Sequence, residues 1–166
     1  MNKGQVWSFD FAVSVVIFFS VVVMILFSWN YTAAKHTEQV LFNEMESKAV
    51  TLSDSLIRTS GFPKEWNSSD VQIIGLADDE NILNETKILQ LVSMPYDTIR
   101  ATMGIMNYNF YLGVRYLNDT VIIMNGTALE CGEDPSLYPN STMIVPIERF
   151  MLFDHKVASL MFMLWL

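Results

Sequence analysis

The chain has few of the side chains that do chemistry on their own. A single cysteine, Cys131, stands in 166 residues, so no disulfide can close within the chain and no cysteine-based metal site is available. A buried free thiol is the expected state of Cys131, an intermolecular bridge the other use open to it. The two histidines, His36 and His155, fall on a helical stretch and in a turn, and neither has a triad or metal signature beside it. The expectation is therefore no enzyme activity, no cofactor and no metal. Basic residues are scarce as well: 10 Lys and Arg stand against 18 Asp and Glu, for a net charge of −8. Without a basic patch to displace counterions from phosphates, nucleic acid is not an expected partner. Glycine and proline are absent from Phe11 to Ser60, which removes the usual helix breakers.

That interval opens with an apolar run. Phe11–Trp29 is nineteen residues without a charge, and as a helix rising ~1.5 Å per residue it spans about 28 Å, close to a bilayer's hydrocarbon core. Thirteen of its residues are Leu, Ile, Phe or Val, together favouring insertion by about 4–8 kcal/mol. Asp10, at the edge of the run, opposes this by at most ~3 kcal/mol. Insertion wins, and in lipid a backbone must satisfy its own hydrogen bonds, so the segment is helical. Lys3 is the only charge before Asp10, which makes a cytoplasmic N-terminus and an outside head the economical topology.

Helical periodicity continues past the membrane. Val40, Leu41, Met45, Ala49, Leu52 and Leu56 recur at three- to four-residue spacing, with Lys35, Glu38, Glu44, Glu46, Lys48 and Asp54 on the other faces. One helix is predicted from about residue 9 to about 60, stopped by Gly61 and Pro63, with Leu41, Met45, Leu52 and Leu56 packed on the head. Beyond it, Val71–Leu76 reads as a strand ended by an acidic turn at Asp78–Asn81. Asn84 caps a short helix through Ser93, Pro95 breaks it, and Tyr96–Met103 forms another turn or two before Gly104. Tyr108–Leu117 alternates as a strand, and Asn118-Asp119 turns it into Thr120–Met124. A polar loop from Asn125 to Asn140 precedes two strands, Met143–Phe153 and Val157–Leu166. The fold class is α+β, a long helix carrying a small head with an antiparallel sheet. Asp78-Asp79-Glu80 lacks the ligand spacing of a calcium loop and reads as a solvated turn; Trp66 and Trp165 read as packing aromatics.

Eleven asparagines occur, and six begin an Asn-X-Ser/Thr triplet: Asn30, Asn67, Asn84, Asn118, Asn125 and Asn140. Ser and Thr make up 24 of the 166 residues, so chance supplies one or two such triplets. The excess points to N-glycosylation outside an archaeal or eukaryotic cell; the competing reading is that Asn and Thr share a preference for turns. Asn30 abuts the membrane, which leaves Asn67, Asn84, Asn118, Asn125 and Asn140 as the expected acceptors.

Lys3-Gly4-Gln5 directly before a membrane helix resembles the class III signal peptide of archaeal type IV pilins and related filament subunits. The series Gly61-Phe62-Pro63, Trp66, Ile74-Gly75-Leu76, Leu83, Lys87, Leu91, Tyr96, Arg100, Gly104 and Asn109-Phe110-Tyr111 looks like the head of archaeal pilin-like proteins, as does the final strand ending near Trp165. The resemblance implies a leader of residues 1–4, cleavage between Gly4 and Gln5 by a prepilin-type peptidase, a helix over 5–60 and a head over 61–166. It implies partners as well: other pilin subunits, the assembly platform and membrane lipid. A filament subunit stored in the cell membrane and then assembled outside is the function it implies. One position departs from the family. Its members place Glu at the fifth residue of the mature chain, where it meets a neighbour's new amine; here that residue is Phe9, and the acid, Asp10, is sixth. Asp10 either performs the docking or caps the helix. A signal-anchored binding or receptor domain that never polymerises is the alternative reading, as is a secreted globular protein cut near Thr32-Ala33-Ala34.

Overall fold

The computed structural model describes the backbone of residues 3–166, and within it the side chains from Phe9 onward apart from Ala34. Helix α1, Lys3–Arg58, is unbroken, as the missing Gly and Pro predict, and it starts earlier than the apolar run does. The chain divides into two compact units, Met1–Asn43 and Glu44–Leu166. The described part of the first is helix alone. The second combines the last turns of α1 with the head, so the expected boundary at residues 60 and 61 falls inside a compact unit.

After α1 come β1 (Ala77–Asp79), β2 (Ile82–Leu83), α2 (Glu85–Ser93), α3 (Tyr96–Met103), β3 (Asn109–Tyr116), β4 (Ile123–Met124), β5 (Thr127–Ala128), β6 (Glu130–Gly132), β7 (Ile144–Phe153) and β8 (Lys156–Trp165). The class is α+β. Six strands form one sheet in the order β1-β2-β7-β8-β3-β6, while β4 and β5 pair as a small separate hairpin. The last strand of the sequence is central: β8 pairs along its length with β7, from Phe153↔Lys156 to Ile144↔Trp165, and with β3, from Tyr116↔Ala158 to Asn109↔Trp165. Its Leu160, Phe162 and Leu164 are fully buried. The sheet is not wholly antiparallel as expected, because β2 meets β7 in parallel through the single pair Ile82↔Leu152.

The core face of α1 departs from the predicted stripe at several positions, and Val40 is exposed. Met45, Ala49, Ser53, Leu56 and Ile57 are buried, whereas Leu52 is only half-buried. A hydroxyl thus occupies a core position, and it is satisfied: Ser53 Oγ donates to Val50 O at 2.9 Å and accepts from Arg149 Nε at 3.3 Å. Arg149 also pairs with Asp54 at 3.0 Å, which ties the helix to β7. Leu41, counted in the stripe, lies half-buried in the first unit.

The end of α1 explains a second difference. A helix leaves its last carbonyls unpaired, and here the chain returns to meet them. Leu76 N–H donates to Leu56 O at 2.8 Å, Asn81 N–H to Ile57 O at 2.9 Å and Ala77 N–H to Thr59 O at 3.0 Å. The Lys87 ammonium, almost wholly buried, donates to Ser60 O at 2.9 Å and Ala77 O at 3.3 Å. Val71–Leu76 is therefore not the expected strand. Ile73 pairs only with Phe62 as an isolated bridge, and Leu76 serves the helix end instead. The sheet edge begins later, at Ala77.

The crossing is tight. Gly61 sits at φ +77°, and a Cβ on Gly75 would collide with Gly61 N and Thr59 O. Trp66 Nε1 donates to Gly75 O at 2.8 Å. Asn84 caps α2 as expected, its Oδ1 accepting from Lys87 N–H at 2.9 Å, and Gly104 ends α3 in the left-handed region. The expected polar loop Asn125–Asn140 instead holds β5, β6 and a 3-10 turn at Pro135–Leu137. Those strands are two or three residues long, too short to leave an alternation pattern.

Two stability outcomes follow from this packing. Leu56→Ala costs about 2–5 kcal/mol through lost burial and a residual cavity, while Leu52→Ala costs about 1 kcal/mol because its side chain is part-solvated. Thermal melts of the two variants in one detergent distinguish them, and equal losses would mean that the core face is wrongly oriented. Lys87→Met leaves Ser60 O and Ala77 O without the ammonium and lowers stability by roughly 1–3 kcal/mol; an unchanged denaturation midpoint would show that water replaces it freely.

Candidate functional site

The feature with most functional content is the surface of α1 in the first unit. Phe9, Phe11, Phe18, Phe19, Phe27 and Trp29 are all at least 60 % exposed. None of the most apolar 18-residue window of this helix is buried within the chain. By length and composition α1 can cross a membrane. Its hydroxyls are suited to lipid: Ser14 Oγ donates to Asp10 O and Ser20 Oγ to Val16 O, both at 2.8 Å. Each thereby satisfies itself on its own helix instead of seeking water. At the far end Trp29 and Tyr31 are exposed, and the Lys35 ammonium lies 4.9 Å from the Tyr31 ring centre. An aromatic pair followed by a cation is the pattern of a membrane–water interface.

Of the residues implied in processing, Gly4 and Gln5 have side chains outside the described residues. Asp10 is exposed. It lies inside α1, beyond the first turn, since the helix begins at Lys3. That position corrects the reading of Asp10 as a helix cap: an N-cap residue stands at the helix boundary with non-helical backbone.

The asparagines of the sequons fall into two groups. Asn67, Asn118, Asn125 and Asn140 are exposed, in turns or loops. Asn67 Oδ1 accepts from Ser69 N–H at 2.9 Å and Asn118 Oδ1 from Thr120 N–H at 3.2 Å. Asn84 is different. It is half-buried, its oxygen caps α2, and its Nδ2 donates to Asp78 Oδ1 at 2.6 Å. Asn30, on α1, donates from Nδ2 to Leu26 O at 3.1 Å.

The acidic turn does not converge. Asp78 accepts from Asn84, Asp79 accepts from Glu80 N–H at 2.8 Å, and Glu80 pairs with Arg58 at 3.7 Å. Among the described residues no group of three His, Cys, Asp or Glu side chains is arranged to hold a metal ion.

Sequence reasoning passed over two polar anchors of the head. Lys87 is one. Arg100 is the other: its Nε donates to Tyr108 O at 2.9 Å, its Nη2 reaches Met106 O, and its guanidinium stacks 5.3 Å from the Tyr96 ring centre. Tyr96 in turn stacks on Phe110 at 5.1 Å. A single Lys or Arg in a short amphipathic helix ordinarily reads as solvated, so periodicity carries no signal for either.

Cys131 is half-buried, not wholly buried as expected; it pairs in register with Leu112, and desolvation of the sulfur, with the Glu130 charge second, pushes its thiol up to about 12. Such a thiol stays protonated at neutral pH and is a poor nucleophile. It should remain unmodified by a thiol reagent at about pH 8 in the folded protein and react fully once the chain is unfolded. Because the folded value is raised, its contribution to stability is intact below the unfolded value near 9 and is lost as pH climbs from there toward 12. Rapid labelling of the native protein would show the sulfur to be open. Comparison with protein-family models, with curated proteins and with solved structures finds no match to this chain.

Proposed function

We propose that this chain is a non-enzymatic structural subunit, a pilin or minor pilin-like protein, of an archaeal type IV pilus-like surface filament. The observation that supports the reading is an uncovered apolar helical segment continuing without a break into a folded head. Such a helix needs either lipid or other helices around it. Held in the membrane, it is a single-pass anchor; in a filament, the same surface packs against copies of itself. Exchange of one apolar environment for another costs little hydrophobic energy, so one segment serves both states.

Processing makes the exchange directional. Gly4 fits the residue before a cut, because a side chain there obstructs the backbone in a narrow peptidase site, and Lys3 holds the leader on the cytoplasmic face. Cleavage before Gln5 creates a positive amine a few residues from Asp10. At ~4 Å and an effective dielectric of ~20, an amine and a neighbour's Asp10 carboxylate attract by roughly 4 kcal/mol before desolvation is subtracted. That favours one axial register of subunits over its neighbours. The acidic head, outside, carries glycans on the exposed sequons.

Gly4→Val is expected to leave a full-length, membrane-bound precursor, and Asp10→Ala to be cleaved normally but assembled poorly. The N-terminal sequence of the protein from its native membrane decides the first point. A mature chain that retains Met1 identifies a signal-anchored domain instead, and one that begins after Ala34 identifies a secreted protein. Normal assembly of Asp10→Ala would remove the docking role of that carboxylate.

A further inference from the structure

Strand β7 is paired fully on one side only. It runs beside β8 over all ten of its residues, but its other neighbour, β2, reaches it through the single pair Ile82↔Leu152. Leu152 N–H donates to Asn81 O at 2.8 Å, so the backbone of Leu152 is turned away from β8. Backbone direction alternates along an antiparallel ladder, and the register of β7 with β8 is continuous. Phe150, Glu148 and Pro146 therefore turn their backbone the same way as Leu152. Among the described residues no segment of the chain pairs with them on that side, and all three are exposed. The opposite rim of the sheet is finished differently. Where β6 stops short along β3, loop backbone takes over: Glu133 N–H donates to Phe110 O at 2.8 Å, and Val114 N–H to Leu129 O, Ile122 N–H to Val114 O and Tyr116 N–H to Thr120 O at 2.9 Å. The long open edge is that of β7.

An open edge is a template for another strand, and the composition of this one favours pairing. From Met143 to Phe153 every residue is Met, Ile, Val, Phe or Leu except Pro146, Glu148 and Arg149. Arg149 is committed to Ser53 and Asp54 of α1. Pro146 and Glu148 remain, and they occupy two successive outward positions. Proline has no N–H to donate. Inside a strand that ordinarily removes a ladder bond, but at 146 the missing donor is the one that would have faced the open side, so pairing with β8 is kept. Glu148 has no cation within ion-pair distance among the described residues.

We propose that Pro146 and Glu148 guard this edge, and that the strand they exclude is β7 of a second copy. The edge is self-complementary, because two copies related by a two-fold axis bring the same outward positions together. Antiparallel registers that overlap the stretch set Pro146 opposite Phe150, opposite Glu148 or opposite itself. Each forfeits the hydrogen bond that Pro146 cannot donate, and the last forfeits it twice. The first two also place the Glu148 carboxylates of the two copies opposite or diagonal to each other, where like charges repel. One residue removes a donor and the other adds a charge, so the edge stays free while β7 keeps its place in the sheet. The proposal concerns the head alone and stands apart from the filament reading.

The test is residue-resolved amide hydrogen exchange on the full-length chain in detergent, a readout local to β7. In the wild type the amides of Glu148 and Phe150 are expected to exchange roughly tenfold or more faster than those of Ile147 and Met151, which face β8. In Pro146→Val/Glu148→Val the amides at 148 and 150 are expected to slow by about the same factor, and further as protein concentration rises. Pro146→Val/Glu148→Lys restores a charge at the edge and is expected to return them to the wild-type rate. If the double valine variant lacks a cooperative melt, Pro146→Ala/Glu148→Gln carries the same test. Slow exchange at 148 and 150 in the wild type would mean that the edge is already paired. Fast exchange persisting in the folded unguarded variant would mean that these two residues hold nothing off, and either result overturns the proposal.

Discussion

The junction between α1 and the head is arranged around the carbonyls at the end of that helix. A helix that stops inside a folded unit cannot leave those oxygens to water, and each lost partner costs about 1–3 kcal/mol. Three backbone amides from the 76–81 segment and one ammonium meet them. This explains why β1 starts where it does and why Gly61 and Gly75 have no side chains. It also explains why a lysine is tolerated in the interior. Lys87 is a cation at the negative end of a helix dipole, a favourable place for a charge that has no carboxylate within ion-pair distance among the described residues.

That arrangement has a mechanical counterpart in the sheet. Arg149 on β7 holds Asp54 and Ser53 of α1, and β7 is locked along its length to the central β8. The same helix is thus fixed at its terminus by backbone hydrogen bonds and along its side by an ion pair and buried Met45, Ala49 and Leu56. Nothing comparable covers the described part of the first unit, whose large apolar side chains stand in the open. One helix serves as an internal core element at one end and as a surface needing an apolar partner at the other.

Much of this was legible in the residues. The membrane-length run, the Asn84 cap, the break at Pro95, the stop at Gly104 and the β3, β7 and β8 strands all follow from local pattern, because each is long or carries a specific terminating residue. What periodicity could not supply were features set by distant partners. Ile73 and Leu76 have strand-like neighbours but spend their hydrogen bonds on Phe62 and Leu56. The short strands β5 and β6 are edge pieces defined by β4 and β3, not by alternation. Ser53, and not Leu52, lies on the buried face, where its hydroxyl accepts from Arg149, a partner ninety-six residues away in sequence. Of the candidate site, the apolar surface was evident from composition, whereas the position of Asp10 inside the helix required the helix start to be seen.

Asn84 illustrates how one side chain can be asked for two incompatible services. Folded, its oxygen closes the first turn of α2 and its nitrogen is bound to Asp78; sugar transfer needs that nitrogen free and the surrounding chain extended. The two uses are therefore separated in time. A glycan at Asn84 would have to be attached before α2 forms, whereas the exposed Asn118 and Asn125 stay accessible afterwards. Were the sequons glycosylated, the ratio of occupancy at Asn84 to that at the exposed sites would be a clock, recording which came first, modification or folding.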